Sequence, residues 1–313
     1  MALPSQAFPG GNFDPKQDAD DFRMTALRET FEETGILLVE PTTTTTNAPL
    51  PEPEQLAVAR LAIHSRTDPL TFPDFLAQHR LCAPVDRLVP FSQWVTPESA
   101  AVRFHTRFFV LFVEELGFGF GLGGLGLGGL GLGSGGVGGV VKQAQRPPSP
   151  LPPKVEGADV GANADADADV LVQNPTADGG IEVISASWIH PRDLFAAFRK
   201  GELALFPPQV YLLTTLEELL TSMHQEGHQG GGSNRTAVLR SRVGGGGGGF
   251  GSRLFNPRPI GFTEEGGKGQ RSILAYEGDE LRGGKAGDRH RCLILYQGRV
   301  SWQAFHSAAA ACY

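Results

Sequence analysis

Glu29, Glu32 and Glu33 lie within about one turn of each other if this stretch is helical, on the face opposite Met24, Leu27 and Phe31. Like charges at that spacing cost a helix a few tenths of a kcal/mol per pair, roughly, so something must offset the repulsion. A divalent cation would do so. Hard oxygen donors suit Mg²⁺ or Mn²⁺, which bind through carboxylates together with substrate phosphates. Taken alone, three such acids more often mean a solvated face. Here Gly10, Gly11, Arg28 and Gly35 meet them at fixed offsets. Paired glycines let a backbone amide or carbonyl approach a metal or phosphate. A guanidinium can hold a carboxylate by two parallel bonds.

The element that must position these groups is a helix ending near Thr34. Asp18, Asp20 and Asp21 stand where it would begin, and acids there suit the positive end of the helix dipole. Gly35 stands where it would stop, since glycine accepts the left-handed conformation common at helix ends. Met24, Leu27 and Phe31 form the apolar stripe that would face a core.

The stretch from Phe8 to Ile36 resembles the Nudix box, G-x5-E-x7-R-E-U-x-E-E-x-G-U with U apolar. Arg28, Glu29, Glu32, Glu33, Gly35 and Ile36 match position for position. Asp20 stands where the pattern has Glu, the segment from Gly11 to Asp20 is three residues longer than the pattern, and Thr30 replaces an apolar residue. The resemblance implies an α/β fold, an α/β/α sandwich with a mixed sheet. It implies metal ligation by Glu29, Glu32 and Glu33, catalytic roles for Glu29 and Arg28, a substrate loop at Gly10 and Gly11, and support from Asp20 and Gly35. Arg28 is expected to orient a box carboxylate, with Asp20 as its partner. The proton acceptor is expected among Glu29, Glu114, Glu115 and Glu182.

Composition bounds the alternatives. A net charge of −7 gives no footprint for nonspecific nucleic-acid binding, so an anionic substrate needs a cation to approach the acidic helix. Cys82, Cys292 and Cys312 form no CxxC pair, which argues against a zinc site or a disulfide framework and suits a reducing compartment. The first residues, MALPSQAFPGG, are too short and too proline-broken for a signal peptide. Ala311-Cys312-Tyr313 is not a peroxisomal address of the Ser-Lys-Leu type.

Low-complexity runs divide the chain. Residues 1–116 are expected to form the first part of the domain, with the box at 10–36. Only nine residues precede Gly10, so the core strand implied ahead of the loop is expected to be missing or incomplete, with Ala7-Phe8 at most its end. Strands are expected at 36–39, 88–95 and 102–113, and helices at 56–66 and 72–80. Residues 117–180 read as a disordered surface excursion. Leu116 to Val141 is uncharged and long enough to span a bilayer, but its glycines cost a helix about 1 kcal/mol each. A Pro-rich piece and an alternating Ala/Asp run, Asp159 to Asp169, follow it. Residues 181–224 resume the domain with a strand at 181–188 and helices at 192–200 and 212–224. Residues 225–252 read as a Gly-rich linker, and 253–313 as an extension of edge strands or a hairpin with a frayed end.

Further stretches resemble one branch of the family, the nucleoside-diphosphate-linked moiety X motif 19 hydrolases, similar to coenzyme A diphosphatases and their fungal relatives. These are Phe8 to Asp14, Trp94-Val95-Thr96-Pro97, Arg103 to Phe109, Trp188-Ile189-His190-Pro191 and Phe206 to Gln209, with a fainter match from Leu274 to Glu280. The resemblance implies coenzyme A or an acyl-coenzyme A as substrate, Mg²⁺ or Mn²⁺ as cofactor, and no nucleic-acid or membrane partner. It also implies a peroxisomal or mitochondrial compartment, with the cytoplasm open for want of the address. ADP-ribose, a dinucleotide or capped RNA is the competing substrate. A degenerate Nudix domain kept as a nucleotide-binding module is the competing role.

Overall fold

The structure is a computed structural model. It describes residues 6–42, 50–65, 70–98, 102–113, 116, 139–144, 175–178, 183–225, 235–244, 250–264, 270–295 and 302–307. The expectations for the Ala/Asp run and for most of 117–180 lie outside these residues.

Helix α1 (Phe22–Thr34) carries the acidic cluster. Asp21 caps its start by accepting from the Arg23 amide, and Gly35 closes its end at φ 72. Helices α2 (Pro53–His64) and α3 (Phe72–Gln78) follow, each with proline in its first turn, where the missing amide costs nothing. Leu27 and Phe31 of α1 pack with Ala59 and Ile63 of α2, Phe72, Phe75 and Leu76 of α3, and the buried Leu37 and Val39. Phe31 stacks on Phe75 with ring centroids 5.7 Å apart. Residues 36–39 form no strand. Ile36, Leu37 and Val39 are buried there, and the next strand is β2 (Glu40–Pro41), which pairs with β3 (Leu81–Cys82).

The sheet behind α1 explains the layering. Strands β4 (Val89–Val95) and β5 (His105–Val110) pair antiparallel. Successive side chains of a strand point to opposite faces. Phe109 and Leu111 pack on the α1–α2–α3 cluster, whereas Phe108 and Val110 pack on a second core. That second core is built from α4 (Pro191–Lys200), α5 (Pro207–Gln225) and α6 (Arg235–Gly244). Helices therefore cover both faces, an α/β/α arrangement. The sheet is mixed, because β8 (Leu254–Phe255) joins β4 in parallel.

Three parts of the expected domain plan need correction. Residues 117–180 are not wholly a surface excursion: β6 (Gly139–Ala144) lies between β1 (Gln6–Ala7) and β7 (Val183–Ile189), pairing antiparallel with both. Residues 225–252 are not wholly a linker, because α6 buries Leu239 and Val243 between the glycine runs. Residues 253–313 are not a simple appendage. Strands β9 (Arg258–Glu264), β10 (Gln270–Ala275), β11 (Arg289–Leu295) and β12 (Trp302–Ser307) form one antiparallel sheet, and Leu274, Tyr276 and Cys292 enter the second core. In each case a short apolar segment finds a partner far away in sequence, and local composition hides it.

Candidate active site

Arg28 is the hub of the site. Its Nε donates to Asp18 Oδ1 at 2.7 Å and its Nη2 to Asp18 Oδ2 at 3.0 Å. Nη1 donates to Glu29 Oε1 at 3.0 Å and to Glu32 Oε1 at 2.8 Å, and Nη2 also reaches the Asn12 carbonyl at 2.9 Å. Burial alone would lower the guanidinium pKa. The bonds to Asp18 and Glu32 and the charges of Glu29 and Asp18 outweigh it, so the pKa is raised. Every donor edge of Arg28 is engaged by protein, so it orients carboxylates instead of meeting substrate.

The bidentate partner is Asp18, and Asp20 does not occupy that place. Asp18 is fully buried, and its Oδ2 also accepts from the Asp14 amide at 2.7 Å and Thr25 Oγ1 at 2.8 Å. Asp20 is exposed. The physical reason is the longer loop. Ala19 and Asp20 both take left-handed backbone, φ 46 and 58, which turns Asp18 inward just before Asp21 caps the helix.

The box glutamates take three environments. Glu32 is buried, with Oε1 on Arg28 and Oε2 within 2.9 Å of His64 Nδ1. A carboxylate can only accept there, so Nδ1–H is the donor. Glu33 is buried too, and its Oε2 receives the Gly10 amide at 2.9 Å. Glu29 is half-buried. Burial, opposed by Arg28 and reinforced by Glu32 and Glu33, pushes its carboxyl up to about 7. A Cβ at Gly11 would overlap the Glu29 carboxylate, so a side chain there would have to push that carboxylate aside. Gly35 is equally confined, since a Cβ there would come within 2.8 Å of Thr176 Oγ1.

The helix end is held from outside. Arg60 Nε donates to the Glu32 carbonyl at 2.6 Å, and the Thr176 amide to the Thr34 carbonyl at 2.8 Å. Asp18, Arg60, His64 and Thr176 were thus the partners that the box pattern did not single out. Arg60 and His64 had a readable signal, polar residues four apart in the helical stretch beside Ala59 and Ile63. Thr176 had none. Glu114, Glu115 and Glu182 lie outside the described residues.

The donor chemistry suits a hard divalent ion. Asp18, Glu29 and Glu32 share one guanidinium, Glu33 stands beside them, and the Glu29 carboxyl is pushed up first by burial and then by its acidic neighbours. Glu29 Oε2 makes no hydrogen bond among the described residues. Among those residues, however, no group of three His, Cys, Asp or Glu side chains is arranged to hold a metal ion, because Glu32 is turned to Arg28 and His64. In the Phe206 to Tyr211 stretch, Pro207 starts α5, Gln209 Oε1 accepts the Phe206 amide at 2.8 Å, and Tyr211 lies in the second core.

A glycine loop on an acidic helix, with a guanidinium tying its carboxylates to the loop, is the constellation of the Nudix superfamily, and a Nudix family model matches residues 10–117. The match covers residues 10–117 and makes that stretch similar to a Nudix domain. The matching model is described as the NUDT19 Nudix domain. A solved NUDIX hydrolase from Alicyclobacillus acidocaldarius resembles the chain at 22% identity over 67% of this chain and 74% of that one, with a TM-score of 0.40. No curated protein matches. No helix among the described residues is long and apolar enough to cross a membrane.

Proposed function

We propose that the protein is a divalent-metal-dependent hydrolase of a nucleoside-diphosphate linkage, with coenzyme A or an acyl-coenzyme A as substrate. The observation that carries the reaction class is the half-buried Glu29, pressed against Gly11 and flanked by Glu32, Glu33 and Arg28. Glu29 and Glu33 are the residues that would hold Mg²⁺ or Mn²⁺, with Glu32 close behind. When bound, the ion would supply charge neutralisation at the diphosphate and acidify the attacking water. Arg28 keeps Glu29 and Glu32 in place. Gly10 and Gly11 bring backbone against the carboxylates, where a phosphate oxygen must pass. Glu29 is also the candidate proton acceptor, by its place against the Gly11 loop between Arg28 and the other carboxylates.

A cavity of about 280 Å³ lies against the apolar face of α1, and none of Glu29, Glu32 and Glu33 lines it. Phe8 and Pro9 border it next to Gly10, α1 contributes Ala26 and Leu27, and Arg107 and Arg235 are its charged lining.

The test is a panel of coenzyme A, acyl-coenzyme A, ADP-ribose, a dinucleotide and capped RNA, with Mg²⁺, Mn²⁺ or chelator. Acyl-coenzyme A is expected to give the highest kcat/KM, chelator to stop turnover, and Glu33→Gln to lower kcat by about 10³-fold or more, the scale of losing a charge-stabilising group. Mn²⁺ affinity without substrate is expected to weaken as pH drops through about 7, because in the metal-free protein a proton on Glu29 competes with the ion. Preference for ADP-ribose would overturn the substrate. Nucleotide binding without metal-dependent hydrolysis would make the domain a binding module.

A further inference from the structure

Arg60 and His64 stand one turn apart on α2, and both address Glu32 of α1. Arg60 Nε holds the Glu32 backbone carbonyl at 2.6 Å, and His64 Nδ1 holds its Oε2 at 2.9 Å. Arg28 takes the remaining Oε1. A carboxylate bound at both oxygens cannot rotate, and here the same residue is also fixed through its main chain. The last carbonyls of a helix have no partner within it. Arg60 supplies one for Glu32 and spreads its other nitrogens over Thr176 Oγ1, the Thr176 carbonyl and the Ala177 carbonyl.

Helix α2 is a firm base for this grip. Ala59 and Ile63 are buried against α1 and α3, while Pro53 and a Glu52–Gln55 capping box fix its start. Packing alone does not call for a guanidinium and an imidazole on this face. Arg60 loses solvation there, with its pKa lowered mainly by burial. The placement gains meaning only through what the two groups hold.

We propose that Arg60 and His64 form a clamp that fixes the backbone and carboxylate of Glu32 together, so setting the positions of Glu33 beside it and, through Arg28, of Glu29. They are positioning residues for the diphosphate hydrolysis proposed above, on which this inference rests. Glu32 then serves as the anchored member of the trio, with Glu29 and Glu33 left to meet the ion.

The experiment compares full-length wild type with Arg60→Ala, His64→Ala and His64→Asn, whose amide nitrogen can stand in for Nδ1–H. Three quantities are read: kcat and KM, Mn²⁺ affinity without substrate by electron paramagnetic resonance, and hydrogen exchange of the Thr34 to Ile36 amides without metal. Each alanine variant is expected to lose about 10- to 100-fold in kcat, with Mn²⁺ affinity weakened by about tenfold and KM within about twofold. His64→Asn is expected to recover most of the loss, and Arg60→Ala to speed exchange at the helix end. The clamp is overturned by alanine variants whose kcat, Mn²⁺ affinity and exchange stay within about twofold of wild type, or by losses that follow Tm alone and are not recovered by His64→Asn. If wild type hydrolyses no diphosphate, the functional reading fails by itself, and Mn²⁺ affinity with hydrogen exchange still decides for or against the clamp.

Discussion

Asp18 and Asp20 differ by two positions and by their whole physical situation. Asp18 has no exposed surface, pairs with a buried guanidinium through both oxygens, and satisfies Thr25 and the Asp14 amide as well. Removing it leaves Arg28 as a buried charge short of its main partner. Asp18→Ala is therefore expected to destabilise the protein by about 3–5 kcal/mol, the range for breaking a buried ion pair. Asp20→Asn, exposed and still tolerant of left-handed backbone, is expected to stay within about 0.5 kcal/mol. Urea titration of both variants checks this, and equal losses would return Asp20 to the role its spacing suggested. The comparison also shows where the site was legible. Arg28, Glu29, Glu32, Glu33 and Gly35 sit on one helix, so sequence spacing is spatial spacing. Asp18 reaches Arg28 only because Ala19 and Asp20 reverse the chain at positive φ, and an irregular turn has no period to read.

At the scale of elements, α1 is held at both ends by groups of different origin. Asp21 caps one end locally, whereas Arg60 and Thr176 hold the other from remote segments. Regular elements with clean periodicity or strong breakers were legible: α1 from its acids and Gly35, α3 from Pro73 in its first turn, α4 from Pro191 and Gly201 at its ends, β4 and β5 from their apolar patterns. Residues 36–39 form no strand, although three of the four are buried: a continuous apolar run reads burial more directly than element type. Helix α6 was hidden by the glycines on either side, although Leu239 and Val243 keep helical spacing. Its contribution is measurable. Leu239 is fully buried in the second core, so Leu239→Ala is expected to cost about 2–5 kcal/mol by lost burial and an unfilled cavity. A linker would show a change below about 0.5 kcal/mol. Denaturant titration with an unchanged m-value separates the two.

Taken whole, the molecule joins its amino-terminal and carboxy-terminal parts through one aromatic cluster. Trp94 of β4 stacks on Phe255 at 4.7 Å and meets Tyr276 edge-on at 5.2 Å, while Tyr211 of α5 lies within 5.6 Å of both Trp94 and Tyr276. Tyr276 Oη in turn donates to Cys292 Sγ at 2.7 Å. Cys292 is thereby a reporter placed by the carboxy-terminal sheet inside the core that β4, β5 and α5 share. Burial pushes its thiol up to about 12, only partly offset by the Tyr276 bond, so almost no thiolate exists there at neutral pH. Cys82 is exposed. Its pKa is raised too, by partial burial and by Glu40, yet reagent can reach it. In native buffer, a thiol reagent is expected to modify Cys82 but leave Cys292 untouched. With rising urea, Cys292 should become reactive along the same curve as loss of far-ultraviolet dichroism, because the sheet cannot leave without opening the common core. If Cys292 were labelled at urea concentrations where the helices remain intact, the carboxy-terminal sheet would be a separately folding unit, and the aromatic cluster would be a contact between domains instead of one core.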